Sequence, residues 1–174
     1  PTTTLTYADA TAQNTAPGQR NQTHEITVNG VTYTPFKGAP GTLRELFDLT
    51  TLYGDTEYLV YEDERYTFTE VHAHAAGLAA ALVNRYGVRR GDRVAIAMRN
   101  YPEWIMTYVG ALAAGAIVVS MNAWWTAEEL DYGLEDSGTT VLVADAERVA
   151  RTRESAARPR IRTIGVRLGD GDTP

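Results

Sequence analysis

Cysteine is absent from the 174 residues, and lysine occurs only once, as Lys37, among 16 basic residues. The first absence excludes disulfides, thiolate metal sites and cysteine nucleophiles. The second leaves a single candidate for any chemistry that needs a lysine. Serine occurs only at Ser120, Ser137 and Ser155, none of them within a Gly-x-Ser-x-Gly sequence, so a serine hydrolase is not expected. The net charge of −6 argues against nucleic acid as a partner.

The composition is that of a folded protein. Hydrophobic residues make up 44% of the chain and charged residues 22%, close to the averages of globular domains. This composition excludes a wholly disordered chain, a collagen-like chain and a coiled coil. The first fourteen residues contain neither a basic start nor an apolar run, so we expect no signal peptide and a cytoplasmic protein.

One stretch is long enough to span a membrane. Residues 105–127 carry no charge, and a transmembrane helix needs about 20 apolar residues. Gly115 divides the stretch into a helix-like half and a β-branched half, Ile117–Val119. We therefore interpret it as a buried helix and a buried strand joined by a tight turn, and we expect no transmembrane segment.

The N-terminal third predicts an arm followed by small hairpins. Residues 1–23 are rich in Thr, Ala, Gln and Asn with no apolar period, which predicts a flexible arm. Residues 24–68 begin with an alternating segment around Asn29-Gly30, the strongest short-range signal for a β-hairpin. A second hairpin is predicted around the acidic turn at 62–64.

A short helix is predicted between these two hairpins. Thr42 stands three residues before Glu45, which is the spacing of a capping box. The apolar pattern that follows predicts a helix to about Tyr53.

Residues 69–168 alternate helices and strands, and they begin with a helix that Thr69 is expected to cap. Such alternation predicts an α/β fold in which a parallel sheet is flanked by helices. Residues 169–174 are polar and predict a loop or the end of a linker. The expected strands lie at 93–97, 116–120, 141–144 and 161–166, and the expected helices between them at 102–114, 126–138 and 145–155.

No phosphate-binding loop is recognised. The residues after the strand at 93–97 lack the glycines of a dinucleotide fingerprint, and Lys37 does not follow a glycine as a Walker loop requires. Ser137–Thr140 has the residue types of a phosphate loop. However, the apolar segment 141–144 follows it directly, so we interpret this stretch as a helix end that leads into a strand.

The other polar clusters are interpreted as surface features. His72 and His74 diverge if they lie on a helix, which disfavours a metal site, and His24 is far from them in sequence. The acidic cluster 62–64 is expected to be solvated in its turn. Six arginines between Arg148 and Arg162 are interpreted as the solvated face of a helix.

Two adjacent tryptophans, Trp124 and Trp125, follow a predicted strand. That position is where parallel sheets place ligands, so the pair could line a ligand or subunit surface, or it could pack under a loop. From the sequence patterns alone, we assign no catalytic, cofactor-binding or metal-binding residue.

The segment from Tyr66 to Asp145 resembles the N-terminal portion of the adenylate-forming (AMP-binding) acyl-CoA synthetases. The order and spacing of several short pieces carry this resemblance, and Asn-Ala-Trp-Trp (122–125) is closer to the fatty-acid–CoA ligases than to the amino-acid-activating members. The pieces are Tyr-Thr-Phe-Thr-Glu (66–70), Gly-Val-Arg-Arg-Gly-Asp-Arg-Val-Ala (87–95), Asn-Tyr-Pro-Glu-Trp (100–104), Gly-Ala-Leu-Ala-Ala-Gly-Ala-Ile-Val-Val (110–119), Asn-Ala-Trp-Trp-Thr-Ala-Glu-Glu-Leu (122–130), Leu-Glu-Asp-Ser-Gly (134–138) and Val-Leu-Val-Ala-Asp (141–145).

The resemblance implies an enzyme that couples a fatty acid to ATP, releases pyrophosphate, and passes the acyl group from AMP to coenzyme A. ATP, Mg²⁺ and coenzyme A are thus implied for the full-length enzyme. The family's catalytic motifs, which include a Pro-Lys-Gly phosphate loop and a C-terminal lysine, do not occur in these residues. No catalytic residue is carried over to this chain, because no position matches one.

Two functional hypotheses follow from the resemblance. In the first, the chain is an N-terminal fragment of a fatty-acid–CoA ligase that is inactive alone and partners the remainder of the synthetase. Apolar faces meant for that remainder are then expected to cause self-association. In the second, the chain is a free-standing interaction or regulatory module derived from such an enzyme.

Overall fold

A computed structural model describes residues 5–153 and 160–169 of the chain. The chain divides into two compact units, Pro1–Glu45 and Leu46–Pro174. The second unit therefore includes the second hairpin. The predicted segment boundaries at residues 23 and 68 stay predictions.

The first unit contains a helix, α1 (Tyr7–Thr15), and a hairpin of β1 (Ile26–Val28) and β2 (Val31–Tyr33). The hairpin was predicted, and its turn residues Asn29 and Gly30 both have positive φ, 52° and 81°, as a type I′ turn requires. Helix α1 was not predicted. It buries no residue, so its hydrogen-bonded cap, rather than an apolar stripe, marks its start.

That cap is reciprocal. The Thr6 hydroxyl accepts a hydrogen bond from the Asp9 backbone N–H at 3.2 Å, and the Asp9 carboxylate accepts one from the Thr6 N–H at 3.2 Å. The Thr6 bonds hold the pKa of Asp9 below its usual value. A capping box with aspartate at the third position gives less sequence signal than the usual form with glutamate or glutamine there.

Helix α2 (Leu43–Asp48) begins beside Thr42, whose hydroxyl accepts from the Glu45 N–H at 3.1 Å. The Glu45 carboxylate accepts from the Gly41 N–H at 2.8 Å, so only half of the predicted box forms. A 3-10 helix, Leu49–Tyr53, continues the chain to the predicted end.

The second hairpin pairs β3 (Glu57–Tyr61) with β4 (Glu64–Thr67) and leads into α3 (Phe68–Asn84). The prediction that Thr69 caps this helix is wrong, because Thr67 is the N-cap. Thr67 stands three residues before Glu70, and each side chain bonds the other's backbone N–H, at 3.2 and 2.8 Å. These bonds hold the pKa of Glu70 below its usual value.

A four-stranded parallel sheet forms the centre of the second unit, in the order β6-β5-β7-β8. The predicted fold, a parallel sheet with flanking helices preceded by small antiparallel hairpins, is confirmed. The predicted strand ends agree within one residue. The elements are β5 (Arg93–Ala97), α4 (Pro102–Ala113), β6 (Ile117–Ser120), α5 (Ala127–Asp136), β7 (Val141–Asp145), α6 (Ala146–Arg151) and β8 (Arg162–Val166).

The core lies on both faces of this sheet. Successive strand residues point to opposite faces, so Val94 and Ile96 join one buried cluster while Ala95 and Ala97 join the other. Helices α3 and α4 pack closely on the first face. A Cβ at Gly110 of α4 would lie 2.8 Å from the Ala75 carbonyl oxygen of α3, so this crossing requires glycine.

The uncharged stretch 105–127 divides as predicted, into the end of α4, a turn at Gly115 with φ of 78°, and β6. Among the described residues, no helix has both the length and the apolar character needed to cross a membrane.

Candidate functional site

The strand order creates a crevice at one point of the sheet. Strands β5 and β7 are neighbours, but the chain leaves β5 through α4 to reach β6 on one side and leaves β7 through α6 to reach β8 on the other. Open parallel sheets bind ligands at such a switch point, outside the carboxyl ends of the strands. We call the residues that follow β5, β6 and β7 here the carboxyl edge.

Asp145, at the end of β7, is the centre of the carboxyl edge. Its side chain is 5% exposed. One carboxylate oxygen accepts from the backbone N–H of Arg99, after β5, at 3.0 Å. The other accepts from the N–H of Arg148, in α6, at 3.1 Å, which caps α6. Asp145 therefore joins the ends of two neighbouring strands to the next helix.

Arg148 completes this network from inside the protein. Its side chain is 1% exposed, and its Nη1 lies 3.0 Å from Asp145 Oδ2 and 2.8 Å from a Glu147 carboxylate oxygen. Its Nε and Nη2 both donate to the Ala123 carbonyl oxygen, at 2.8 and 2.5 Å. The interpretation of the Arg148–Arg162 segment as a solvated face is therefore wrong for Arg148, because a buried carboxylate and a loop carbonyl take its donors.

A second arginine of α6 holds the same loop. Arg151 Nη1 donates to the Trp125 carbonyl oxygen at 2.6 Å and to the Ala123 carbonyl oxygen at 3.3 Å, and its other terminal nitrogen pairs with Glu147. Arg153 is exposed, while Arg158 lies outside the described residues. The arginines of this segment thus have different environments.

The two tryptophans also separate. Trp125 packs against the core cluster below the loop, where a Cβ on Gly133 would approach its ring to 2.9 Å. Trp124 is 70% exposed, and the Arg99 guanidinium carbon lies 4.1 Å from the centre of its ring, a cation–π contact. Packing under the loop therefore applies to Trp125. Trp124 is exposed, and its place on a ligand or subunit surface stays a prediction.

A further cluster borders the carboxyl edge at the end of β8. Arg167 binds the Glu64 carboxylate through two nitrogens, at 2.8 and 2.9 Å, and Glu103 through Nε at 3.1 Å. Its guanidinium carbon lies 5.0 Å from the ring centres of both Tyr61 and Tyr101. One residue therefore joins the second hairpin, the first turn of α4 and the end of the sheet.

This cluster changes the acid–base properties of its members. The Arg167 hydrogen bonds lower the pKa of Glu64, with a smaller lowering from the Tyr66 hydroxyl, and the bond to Glu64 raises the pKa of Tyr66. Glu64 belongs to the cluster 62–64 that was expected to be solvated. Glu62 and Asp63 are exposed, but Glu64 is paired.

A cavity of about 330 Å³ opens beside these groups. Its walls combine two aromatic rings, a cation, an amide and a carboxylate, from Tyr61, Tyr101, Arg99, Asn100 and Glu147. These side chains can stack on, hydrogen-bond to and orient a ligand. The guanidinium of Arg99 has hydrogen-bond donors and no acceptor, so it can donate hydrogen bonds to a ligand.

The remaining candidate residues lie elsewhere. His72 Nε2 is 2.8 Å from the Thr50 hydroxyl, and the His74 ring contacts the Tyr66 ring edge-on. His24 and Lys37 are exposed in the first unit. In the described parts of the chain, no group of three or more metal-binding side chains comes together.

Ser137–Thr140 ends α5 at the amino edge of the sheet, opposite the carboxyl edge. Ser137 is the C-cap, and the Arg93 side chain donates to the carbonyl oxygens of Ser137 and Gly138 at 2.9 and 2.8 Å. The stretch therefore leads from a helix into β7, as interpreted from the sequence.

Comparisons with known proteins bear on the family of this chain. The family model for AMP-binding enzymes matches residues 48–173. A long-chain-fatty-acid–CoA ligase of Salmonella typhimurium and 4-coumarate–CoA ligase 3 of Oryza sativa subsp. japonica are each 36% identical over 103 residues, which is 59% of this chain and 18% of each relative. The chain therefore spans only a small part of the curated relatives it matches.

Among solved structures, coronafacic acid ligase from Pectobacterium brasiliense superposes with a TM-score of 0.69 over 75% of this chain and 27% of that enzyme. The two sequences are 20% identical over this region. That likeness shows a shared fold.

Proposed function

Because this chain belongs to the family of AMP-binding enzymes, we propose that it forms the first part of the large domain of a fatty-acid–CoA ligase. The complete enzyme joins a fatty acid to ATP, releases pyrophosphate, and then transfers the acyl group from the adenylate to the thiol of coenzyme A, releasing AMP. The observation that carries the proposal is the family match over residues 48–173, together with the parallel sheet that those residues form.

The fatty acid is the finer part of the proposal. Identity alone does not select it, since the long-chain and the 4-coumarate ligases match equally well. The Asn122-Ala-Trp-Trp125 segment supports the fatty-acyl class by its resemblance. An aromatic acid is the second candidate, favoured by the match to the 4-coumarate enzyme.

Neither a metal cluster for Mg²⁺ nor a phosphate loop for ATP is found among the described residues. No cluster of three acidic or histidine side chains is available there for the metal, and the Ser-Gly-Thr-Thr stretch at 137–140 ends a helix. Lys37 is exposed in the other compact unit. We therefore assign no step of the reaction to a residue of this chain, and we propose that the chain alone is inactive.

ATP–pyrophosphate exchange tests the proposal. The purified chain is expected to give no exchange with palmitate or 4-coumarate. A chimera of the Salmonella typhimurium ligase, with its matched segment replaced by that of this chain, is expected to give exchange with palmitate. Exchange by the chain alone would contradict the proposed inactivity. A folded chimera that is inactive with both acids would contradict the ligase assignment, and one active only with 4-coumarate would select the aromatic class.

We further propose that the remainder of the synthetase covers the β6 edge of the sheet. Ile117 of β6 is 54% exposed, and Tyr132 of α5, which lines a cavity together with Val119 of β6, is 69% exposed. Parallel strands are normally covered on both faces, and an uncharged edge strand invites pairing. The isolated chain is therefore expected to associate with itself in sedimentation experiments, less so with Ile117→Lys. A monomer at all concentrations would instead favour a free-standing module and count against this proposal.

A further inference from the structure

We propose that Arg148 is a positioning residue, which holds the loop Asn122–Trp125 so that Trp124 stands beside Arg99 at the carboxyl edge. The position of this edge as the ligand-binding side rests on the proposed function. The positioning itself rests on the contacts of Arg148, and the experiment below measures it without any enzymatic activity.

Burial makes the role of Arg148 specific. A buried guanidinium costs free energy unless its donors are used. Here Nη1 meets Asp145, while Nε and Nη2 both meet the Ala123 carbonyl oxygen. One planar group therefore connects the end of β7 with Ala123 in the loop after β6, 25 residues from Arg148 in sequence.

The loop has few other long-range bonds. Within residues 5–153 and 160–169, β6 is an edge strand, so no described strand lies beyond it to pair with the residues that follow. Within the loop, the Trp124 N–H donates to the Asn122 side chain at 3.0 Å and the Trp125 N–H to the Asn122 carbonyl at 3.1 Å. These two bonds are local. The bonds to the Ala123 and Trp125 carbonyl oxygens come from Arg148 and Arg151 of α6.

The same network places the partner of Trp124. The Arg99 backbone N–H donates to Asp145, and its guanidinium lies over the Trp124 ring. Asp145 thus fixes the position of the Arg99 backbone. Arg148, which is bound to Asp145, fixes the position of the Ala123 backbone, next to Trp124. Loss of Arg148 is expected to release the indole from the guanidinium.

Lysine cannot replace Arg148 in this arrangement. Its ammonium is a compact point charge, whereas the guanidinium presents a rigid planar fork of donors. Arg148→Lys is therefore expected to keep the charge beside Asp145 and to lose the bonds to Ala123. It is the conservative variant that separates charge from geometry.

Fluorine NMR of the full chain labelled with 5-fluorotryptophan tests the proposal. The chain has three tryptophans, so three resonances are expected, and Trp→Phe variants assign them. Arg148→Met and Arg148→Lys are expected to shift and broaden the Trp124 resonance. The Trp104 resonance, from α4, is expected to stay in place. Arg99→Met is expected to shift the Trp124 resonance by removing the cation.

Arg93→Met is the matched control, because Arg93 also donates to two loop carbonyl oxygens, at the opposite edge of the sheet. It is expected to leave the Trp124 resonance unchanged. If Arg148→Met fails to fold, Arg148→Lys replaces it, since that variant loses the bonds to Ala123 and keeps a charge beside Asp145. An unchanged Trp124 resonance in a folded Arg148→Met or Arg148→Lys variant would overturn the proposal. The proposal would also be overturned if all three tryptophan resonances moved by the same amount, both in the Arg148 variants and in Arg93→Met.

Discussion

Arg93 and Arg148 make similar hydrogen bonds at opposite edges of the same sheet. Each donates hydrogen bonds to backbone carbonyl oxygens of a distant loop: Arg93 to Ser137 and Gly138 at the amino edge, and Arg148 to Ala123 at the carboxyl edge. Arg93 is half-buried, whereas Arg148 is fully buried and is also ion-paired with Asp145. The same side chain can therefore close the end of a helix at one edge and hold an exposed loop at the other.

The difference follows from what each loop lacks. At the amino edge, the last carbonyl groups of α5 have no intrahelical partners, and arginine supplies donors for them. At the carboxyl edge, the loop follows an edge strand and exposes Trp124 to solvent. The exposed indole buries little apolar surface, so the hydrophobic effect contributes little to its position. Its position therefore depends on the hydrogen bonds to the backbone beneath it.

The largest expected effect comes from Arg148→Met. Removal of one partner of a buried ion pair destabilises proteins by about 3–5 kcal/mol. Asp145 keeps two backbone N–H donors here, so we expect a loss in the free energy of unfolding near the lower end, about 3 kcal/mol. Urea denaturation measures it, and a loss below about 1 kcal/mol would show that the pair is not needed for folding.

Arg93→Met is expected to cost less. It removes three bonds to carbonyl oxygens, of Ser137, Gly138 and Gly91, but it leaves no buried carboxylate unpaired among the described residues. Each hydrogen bond contributes about 1 kcal/mol net, and water can reach these half-buried groups, so we expect a loss of about 1–2 kcal/mol. Urea denaturation measures this loss too. A loss larger than that of Arg148→Met would reverse the comparison of the two edges.

The smallest effect is expected at a third arginine, Arg167, whose pair with Glu64 is more exposed. The hydrogen bonds of Arg167 lower the pKa of Glu64 from 4.5, so the folded protein favours the ionised carboxylate. The resulting stability is fully present above pH 4.5 and is lost as the pH falls through the lowered pKa, because the unfolded chain then binds more protons.

Thermal unfolding at a series of pH values from 7 to 3 measures this contribution. In Glu64→Gln the decline in melting temperature below pH 4.5 is expected to be shallower than in the parent. Glu62→Gln, in the same turn but exposed, is the matched control and is expected to follow the parent curve. Identical curves for all three proteins would show that the Arg167 pair contributes nothing measurable.

Much of the fold could be predicted because its signals are local. The run Val141–Ala144 is continuously apolar, as expected for a strand buried on both faces, and it forms β7. Thr126 and Glu129 form a complete capping box at the start of α5. The turn at Asn29-Gly30 forms because these residues tolerate positive φ.

The failures have equally local causes. Thr67 and Thr69 lie close together at the start of α3, and only Thr67, which Glu70 follows at the third position, caps the helix. Helix α1 has no apolar stripe, so periodicity could not reveal it. Asp145 and Arg148 stand three residues apart after a buried strand, and this spacing can be seen in the sequence. The interpretation of the arginines from Arg148 to Arg162 as solvent-exposed used only the composition of that segment.

Local sequence signals were enough to predict the parallel α/β fold, the turn at Asn29-Gly30 and the start of α5, because these depend on residues within a few positions of one another. The family resemblance was also present in the sequence, in the order of short pieces along the chain. The burial of Arg148, the packing of Trp125 beside the exposed Trp124, and the link from Glu64 through Arg167 to Glu103 became known from the fold alone. Those outcomes depend on which strand ends become neighbours in the sheet, and that proximity exists only after the crossovers have placed β5 between β6 and β7.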